Sequence, residues 1–136
     1  MDFLVNRFRL FDYDPEKLKK LLPKLKQVTI IEGYSSMIYE LANLIKDQKP
    51  VFSNLKLVKG TSEKVYPHYQ GIAKEVYALP IANEYGSTES GIIAFECPHG
   101  SMHINMEGVY VEQDPEDGGI CVTNLQSFSF PSIRYK

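Results

Sequence analysis

Between residues 14 and 82 three segments of helical period alternate with three short apolar runs, and this order constrains the fold more than any other feature of the chain. Asp14-Pro15-Glu16 opens the first helix: aspartate caps free amides, proline suits the first turn, and glutamate meets the positive end of the helix dipole. Leu18, Leu21, Leu22 and Leu25 follow at helical spacing, while Lys17, Lys19, Lys20, Lys24 and Lys26 read as a solvated surface. Pro23 inside this run predicts a kink or two short pieces. Val28-Thr29-Ile30-Ile31, ended by Gly33, reads as a buried strand. Residues 35–47 return to helical period with Met37, Ile38, Leu41, Leu44 and Ile45 on one face, and Lys49-Pro50 closes that helix. A second apolar run at 55–58, a third helix over about 67–78, and Pro80-Ile81-Ala82 complete the alternation.

The expected fold class is therefore α/β, with a parallel sheet flanked by helices over residues 14–90. Antiparallel strands over 91–125 extend it, at 91–95, 103–106, 109–113 and 120–124, with Asp114-Pro115-Glu116-Asp117-Gly118-Gly119 as a turn. The 136 residues read as one domain, since no repeat, low-complexity stretch or linker divides them. With 43% apolar residues the chain can build a core unaided, and a net charge of −2 gives no reason to expect nucleic acid as a partner. Two cysteines make no disulfide framework. No apolar run approaches the roughly 20 residues of a membrane span, and the N-terminus lacks the pattern of a signal peptide. A cytoplasmic protein with no membrane partner is expected.

The most informative segment is Asn83-Glu84-Tyr85-Gly86-Ser87-Thr88-Glu89-Ser90-Gly91, directly after the third strand. Ligands of open α/β sheets bind beyond the carboxyl ends of the strands. A ring that stacks on a base, hydroxyls that reach a phosphate and a carboxylate that holds Mg²⁺ would suit a nucleotide there. The same residue types also make an ordinary turn, and chemistry alone leaves both readings open. Ser90 lacks the flanking glycines of a nucleophile elbow, and Gly60-Thr61-Ser62-Glu63-Lys64 lacks the Walker A order.

Tyr85-Gly86-Ser87-Thr88-Glu89 resembles the Tyr-Gly-x-Thr-Glu motif of the adenylate-forming (AMP-binding) enzymes. Its setting is similar to the phenylacetate–CoA ligase branch, which includes relatives encoded with capsular polysaccharide genes. Glu32-Gly33-Tyr34-Ser35-Ser36 resembles that branch's Gly-Tyr-Pro-Ser, and Thr61-Ser62-Glu63 with Tyr66-Pro67 resembles its Thr-Ser-Glu and Tyr-Pro. Glu96-Cys97, Gly100, His103-Ile104 and Glu112 resemble its Glu-Cys, Gly-x-His and Glu positions. Gly119-Ile120-Cys121-Val122-Thr123-Asn124-Leu125 is similar to its Gly-Glu-x-x-x-Thr-x-Leu strand, with Ile120 in place of the glutamate. Pro131-Ser132-Ile133-Arg134-Tyr135 resembles its Pro-Leu-Ile-Arg-Tyr, so the resemblance runs over about residues 28–136.

The resemblance implies roles by position. Tyr85 would lie against the adenine of an ATP/AMP pocket, Gly86 and Ser87 would bind the same cofactor, and Gly60, Thr61, Ser62 and Glu63 would line the same pocket. Thr88 would hydrogen-bond the α-phosphate and Glu89 would bind Mg²⁺, the two residues expected to be catalytic. In such enzymes a small carboxylic acid attacks the α-phosphorus of ATP, pyrophosphate leaves, and the acyl group passes from AMP to coenzyme A. The resemblance also implies a Ser/Thr/Gly-rich phosphate loop ending in Lys, a Gly-Asp that holds the ribose, and a C-terminal lid domain with a catalytic lysine. None of these occurs in the sequence. The chain is expected to be a fragment of the family's large N-terminal domain, contributing the adenine and Mg-phosphate side of the pocket and inactive alone. The alternative is a stand-alone, non-catalytic module that binds a nucleotide or a protein.

Cys97, His99 and His103, with Cys121 as a conceivable fourth, form a second candidate site for Zn²⁺. Some relatives hold a structural metal near this cysteine. The competing reading is a turn with a buried thiol and partly exposed imidazoles. Phe3, Phe8, Phe11 and Tyr13 crowd the start of the chain, and self-association through exposed apolar surface is expected.

Overall fold

A computed structural model of the chain describes residues 14–129 and 133–136, without the side chains of residues 15, 18, 19, 21 and 22. The aromatic residues at 3, 8, 11 and 13, and Pro131-Ser132, lie outside the described residues.

The first helix, α1 (Pro15–Leu25), begins as its sequence dictates: the Asp14 carboxylate accepts from the amides of Glu16 at 2.9 Å and Lys17 at 3.4 Å. It runs unbroken through Pro23, contrary to the expected kink or split. Pro23 stands in the last turn, where the helix ends two residues later and only one backbone bond is forfeited.

Three parallel strands follow, β1 (Ile30–Tyr34), β2 (Leu57–Thr61) and β3 (Ile81–Ser87). Helices α2 (Ser35–Ile45), continued by a 3-10 turn at Lys46–Gln48, and α3 (Pro67–Tyr77) connect them. Ile38, Ala42 and Ile45 of α2 meet Ala73, Val76 and Tyr77 of α3 over Val58 and Ile81, which forms the main core. The Tyr77 hydroxyl donates to the Ile38 carbonyl at 2.9 Å, and burial pushes its pKa up. Gly60 must lack a side chain: a Cβ there would lie 2.5 Å from Ser35 Oγ and 2.9 Å from Ile81 Cγ2.

Strand bounds shift by a few residues, as in β2, read at 55–58 and found at Leu57–Thr61, and two strands differ in kind from their sequence reading. β1 was expected to be buried and to stop at Gly33, yet it runs to Tyr34 as an edge strand with Ile30 53% exposed. Only one of its faces packs on helices, so alternate residues are left outside. The third strand reaches Ser87 and does not end at residue 82, because β4 gives its distal half a new partner.

β4 (Gly91–Glu96) and β5 (Met102–Ile104) pair antiparallel and complete a mixed sheet of order β1-β2-β3-β4-β5. The remaining strands extend the fold as the antiparallel 91–125 reading expected, in a sheet of their own. β6 (Val109–Gln113), β7 (Ile120–Asn124) and β8 (Arg134–Tyr135) form a separate antiparallel sheet. It packs on β4 through a small second core of Ile93, Ala94, Val109 and Val122. The 114–119 turn forms as read, with Asp114 N donating to the Gly119 carbonyl at 2.7 Å and Lys136 bridging Asp114 and Asp117. Among the described residues no helix is long and apolar enough to cross a membrane.

Candidate functional site

β3 changes partners along its length, and that change builds the site. Ile81, Ala82 and Asn83 pair with the parallel β2, whereas Glu84 to Ser87 pair with the antiparallel β4. The register slips between Tyr85 and Gly86, where Tyr85 faces Ala94 and Gly86 faces Ile92. Gly86 permits this approach, since a Cβ there would stand 2.5 Å from the Gly91 carbonyl oxygen. The Tyr85 ring is 50% exposed.

The strand then turns tightly. Ser87 Oγ accepts the Ser90 amide at 3.1 Å and shares a hydrogen bond with Ser90 Oγ at 2.7 Å. Ser90 is buried, Gly91 takes a positive φ of 71°, and Asn124 Nδ2 donates to the Ser90 carbonyl at 3.2 Å. Thr88 and Glu89 are thereby left exposed at the tip.

The 60–63 segment leaves the carboxyl end of β2 beside this strand, Gly60 pairing with Asn83. Thr61 Oγ1 donates to Glu84 Oε1 at 2.9 Å, which ties the two segments together. Ser62 adopts a left-handed φ of 63°, and Glu63 Oε2 accepts the Ser36 amide at 2.9 Å. Ser35 Oγ donates back to the Glu63 carbonyl at 3.2 Å. Hydrogen bonds from the Ser36 hydroxyl and amide hold the Glu63 carboxyl below its usual range. Of the four residues read as pocket lining, Glu63 thus has a structural task as the cap of α2, and Gly60 is fixed by close packing.

The sequence reading missed a charged cluster. Lys59 Nζ lies 2.6 Å from Glu84 Oε2 and 2.9 Å from Glu32 Oε1, with the Glu84 side chain only 9% exposed. Burial works against the ammonium, but its bonds to Glu84 and Glu32 outweigh that and raise the Lys59 pKa. The signal was period two: Glu32, Lys59 and Glu84 fall out of phase with Ile31, Val58 and Ile81, whose side chains pack with α2 and α3.

At the β4–β5 hairpin Cys97 N donates to the Ser101 carbonyl and Gly100 N to the Cys97 carbonyl, each at 2.9 Å. The thiol lies below its ordinary range because the Ser101 and His99 amides donate to sulfur, with the His103 side chain adding to them. Cys97 and His103 therefore meet, His99 contributes its amide, and Cys121 is buried on β7. Among the described residues no three His, Cys, Asp or Glu side chains converge to hold a metal ion.

No protein-family model matches the sequence, and no curated protein matches it. Solved structures do. An open conformation of 2-hydroxyisobutyryl-CoA ligase in complex with 2-HIB-AMP and CoA superposes with a TM-score of 0.68 and 17% identity, over 84% of this chain and 31% of that one. Apo MatB from Rhodopseudomonas palustris gives 0.61 and 18% over 85% and 26%. The anthranilate CoA ligase AuaEII in complex with anthranoyl-AMP gives 0.62 and 20% over 85% and 25%. The chain has the fold of a segment of these CoA ligases. It spans about a quarter to a third of their length, and at such identities the likeness establishes the fold.

Proposed function

We propose that the chain supplies the adenine and phosphate side of the nucleotide pocket in an ATP-dependent carboxylate–CoA ligase of the adenylate-forming superfamily, in its phenylacetate–CoA ligase branch. One observation carries this reading: a ring, a hydroxyl and a carboxylate at Tyr85, Thr88 and Glu89 stand exposed where β3 outruns its parallel neighbour. The fold shared with ligases solved in complex with AMP adducts and CoA supports it. Tyr85 stacks on adenine and Thr88 donates to the α-phosphate.

The residues fit magnesium, which takes one or two protein carboxylates and completes its shell with phosphate oxygens and water. Glu89, exposed at the turn tip, is the carboxylate that would hold it, and the ion would offset charge developing on the phosphates. Zinc is a poorer fit, because the meeting of Cys97 and His103 gives two ligands where structural zinc takes four. The acyl donor is a small carboxylic acid and the acceptor coenzyme A, and the protein is placed in the cytoplasm. The link to capsular polysaccharide synthesis belongs to the same reading. The motifs implied for a phosphate loop, a ribose carboxylate and a catalytic lysine do not occur in these 136 residues. Positioned polar contacts carry this chemistry, so the chain alone binds Mg·ATP weakly and forms no acyl-adenylate.

Calorimetric titration with Mg·ATP tests the assignment. Binding that weakens about tenfold in Glu89→Gln is expected from loss of the ion's carboxylate. Equal binding by both proteins would leave a non-catalytic module with a different ligand site, and absence of binding would reduce the likeness to shared fold.

A further inference from the structure

The turn that carries Thr88 and Glu89 is held from the other sheet. Asn124, the last residue of β7, directs Nδ2 to the Ser90 carbonyl at 3.2 Å while its Oδ1 accepts the Gln126 amide at 2.7 Å. Ser90 is 3% exposed, and Ser35 is the other buried polar residue among those described. Its amide and hydroxyl are both satisfied by Ser87 Oγ within the turn. Its carbonyl, facing the second sheet, takes its donor from Asn124. A buried carbonyl left without a donor is costly, so this contact decides whether the turn keeps its shape. The small core of Ile93, Ala94, Val109 and Val122 keeps the two sheets in register around it.

We propose that Asn124 is a positioning residue: its carboxamide, carried on β7, fixes the backbone of the 87–91 turn and through it aims Thr88 and Glu89. The consequence for ligand binding rests on the nucleotide-pocket reading above, whereas the restraint on the turn stands without it. In this arrangement the C-terminal sheet is part of the site's machinery, although none of its side chains is assigned to the nucleotide. A shift of β7 relative to β4 would be felt at Glu89.

Asn124→Asp keeps the oxygen that accepts from Gln126, removes the donor to Ser90 and sets a negative charge in its place, while Asn124→Ala removes the donor without adding charge. Amide hydrogen exchange of the 136-residue chain without nucleotide reads the restraint, with β6 and β7 amides as the control for folding. Exchange of the Ser90 amide should rise about tenfold in Asn124→Asp and in Asn124→Ala, with the β6 and β7 amides unchanged. Unchanged exchange at Ser90 in Asn124→Asp would overturn the proposal. Mg·ATP titration of the same proteins reads the consequence: wild-type binding that weakens several-fold in both Asn124 variants supports positioning. A faster-exchanging turn with unaltered Mg·ATP binding contradicts the aiming of Thr88 and Glu89. Wild-type protein that binds no Mg·ATP rejects the nucleotide reading and the aiming with it, while the exchange data still decide the restraint.

Discussion

Lys59 shows how one side chain can organise a sheet face. It sits between Val58 and Gly60, both buried, so its own side chain leaves the other face of β2, where Glu84 and Glu32 meet it. Replacing it with alanine would strand the Glu84 carboxylate, nearly buried, with the Thr61 hydroxyl as its remaining side-chain donor among the described residues. Removing one member of such a pair costs more than the pair contributes, and partial exposure here lowers the figure to about 2 kcal/mol. Urea denaturation should show that loss in Lys59→Ala, and most of it should return in the double variant Lys59→Met/Glu84→Leu. Because the Lys59 pKa is raised, its contribution is complete below the ordinary lysine value. It disappears only as pH climbs through the raised value of the folded state.

At the scale of elements, α2 has no capping side chain from Tyr34 and no acidic residue in its first turn. Its anionic cap arrives from Glu63, 27 residues further along the chain from Ser36. Glu63→Ala should cost about 1 kcal/mol. The folded Glu63 carboxyl titrates below its unfolded value, so wild-type stability from this cap is present above the ordinary glutamate range. It is lost as pH falls through the depressed value. Urea midpoints measured from neutral pH downward should therefore converge for the two proteins at acid pH, and a constant gap would contradict the cap.

The order of helices and strands was legible because Met37 to Ile45 and the β-branched runs carry different periods. The edge position of β1 was not, since Ile30-Ile31 reads the same whether one face or both are covered. Nor was the length of β3, because Asn83-Glu84-Tyr85-Gly86-Ser87 shows no alternation and owes its extension to β4. The cap by Glu63 and the hold of Asn124 on Ser90 join distant positions whose pairing no local pattern reveals. Tyr85, Thr88 and Glu89 are exposed, and the structural task of Glu63 was not visible in the sequence.

At the scale of the whole molecule, the described residues carry exposed apolar side chains. Ile30 and Tyr34 are 53% and 57% exposed on the edge strand, Met106 is 79% exposed and Phe128 is 94% exposed. Parallel strands are ordinarily covered on both faces, and exposed apolar surface of this kind drives association. Light scattering should show a mass that rises with protein concentration, and a strict monomer at every concentration would count against it.

The two sheets meet where the candidate site lies, with β3 supplying Tyr85, the turn supplying Thr88 and Glu89, and β7 holding that turn through Asn124. Amide chemical-shift mapping of the chain during a Mg·ATP titration tests this assignment most directly. Saturable shifts concentrated at Tyr85, Gly86, Thr88 and Glu89 and at the neighbouring 60–63 segment are predicted. Shifts confined to other surfaces, or none at millimolar nucleotide, would contradict it.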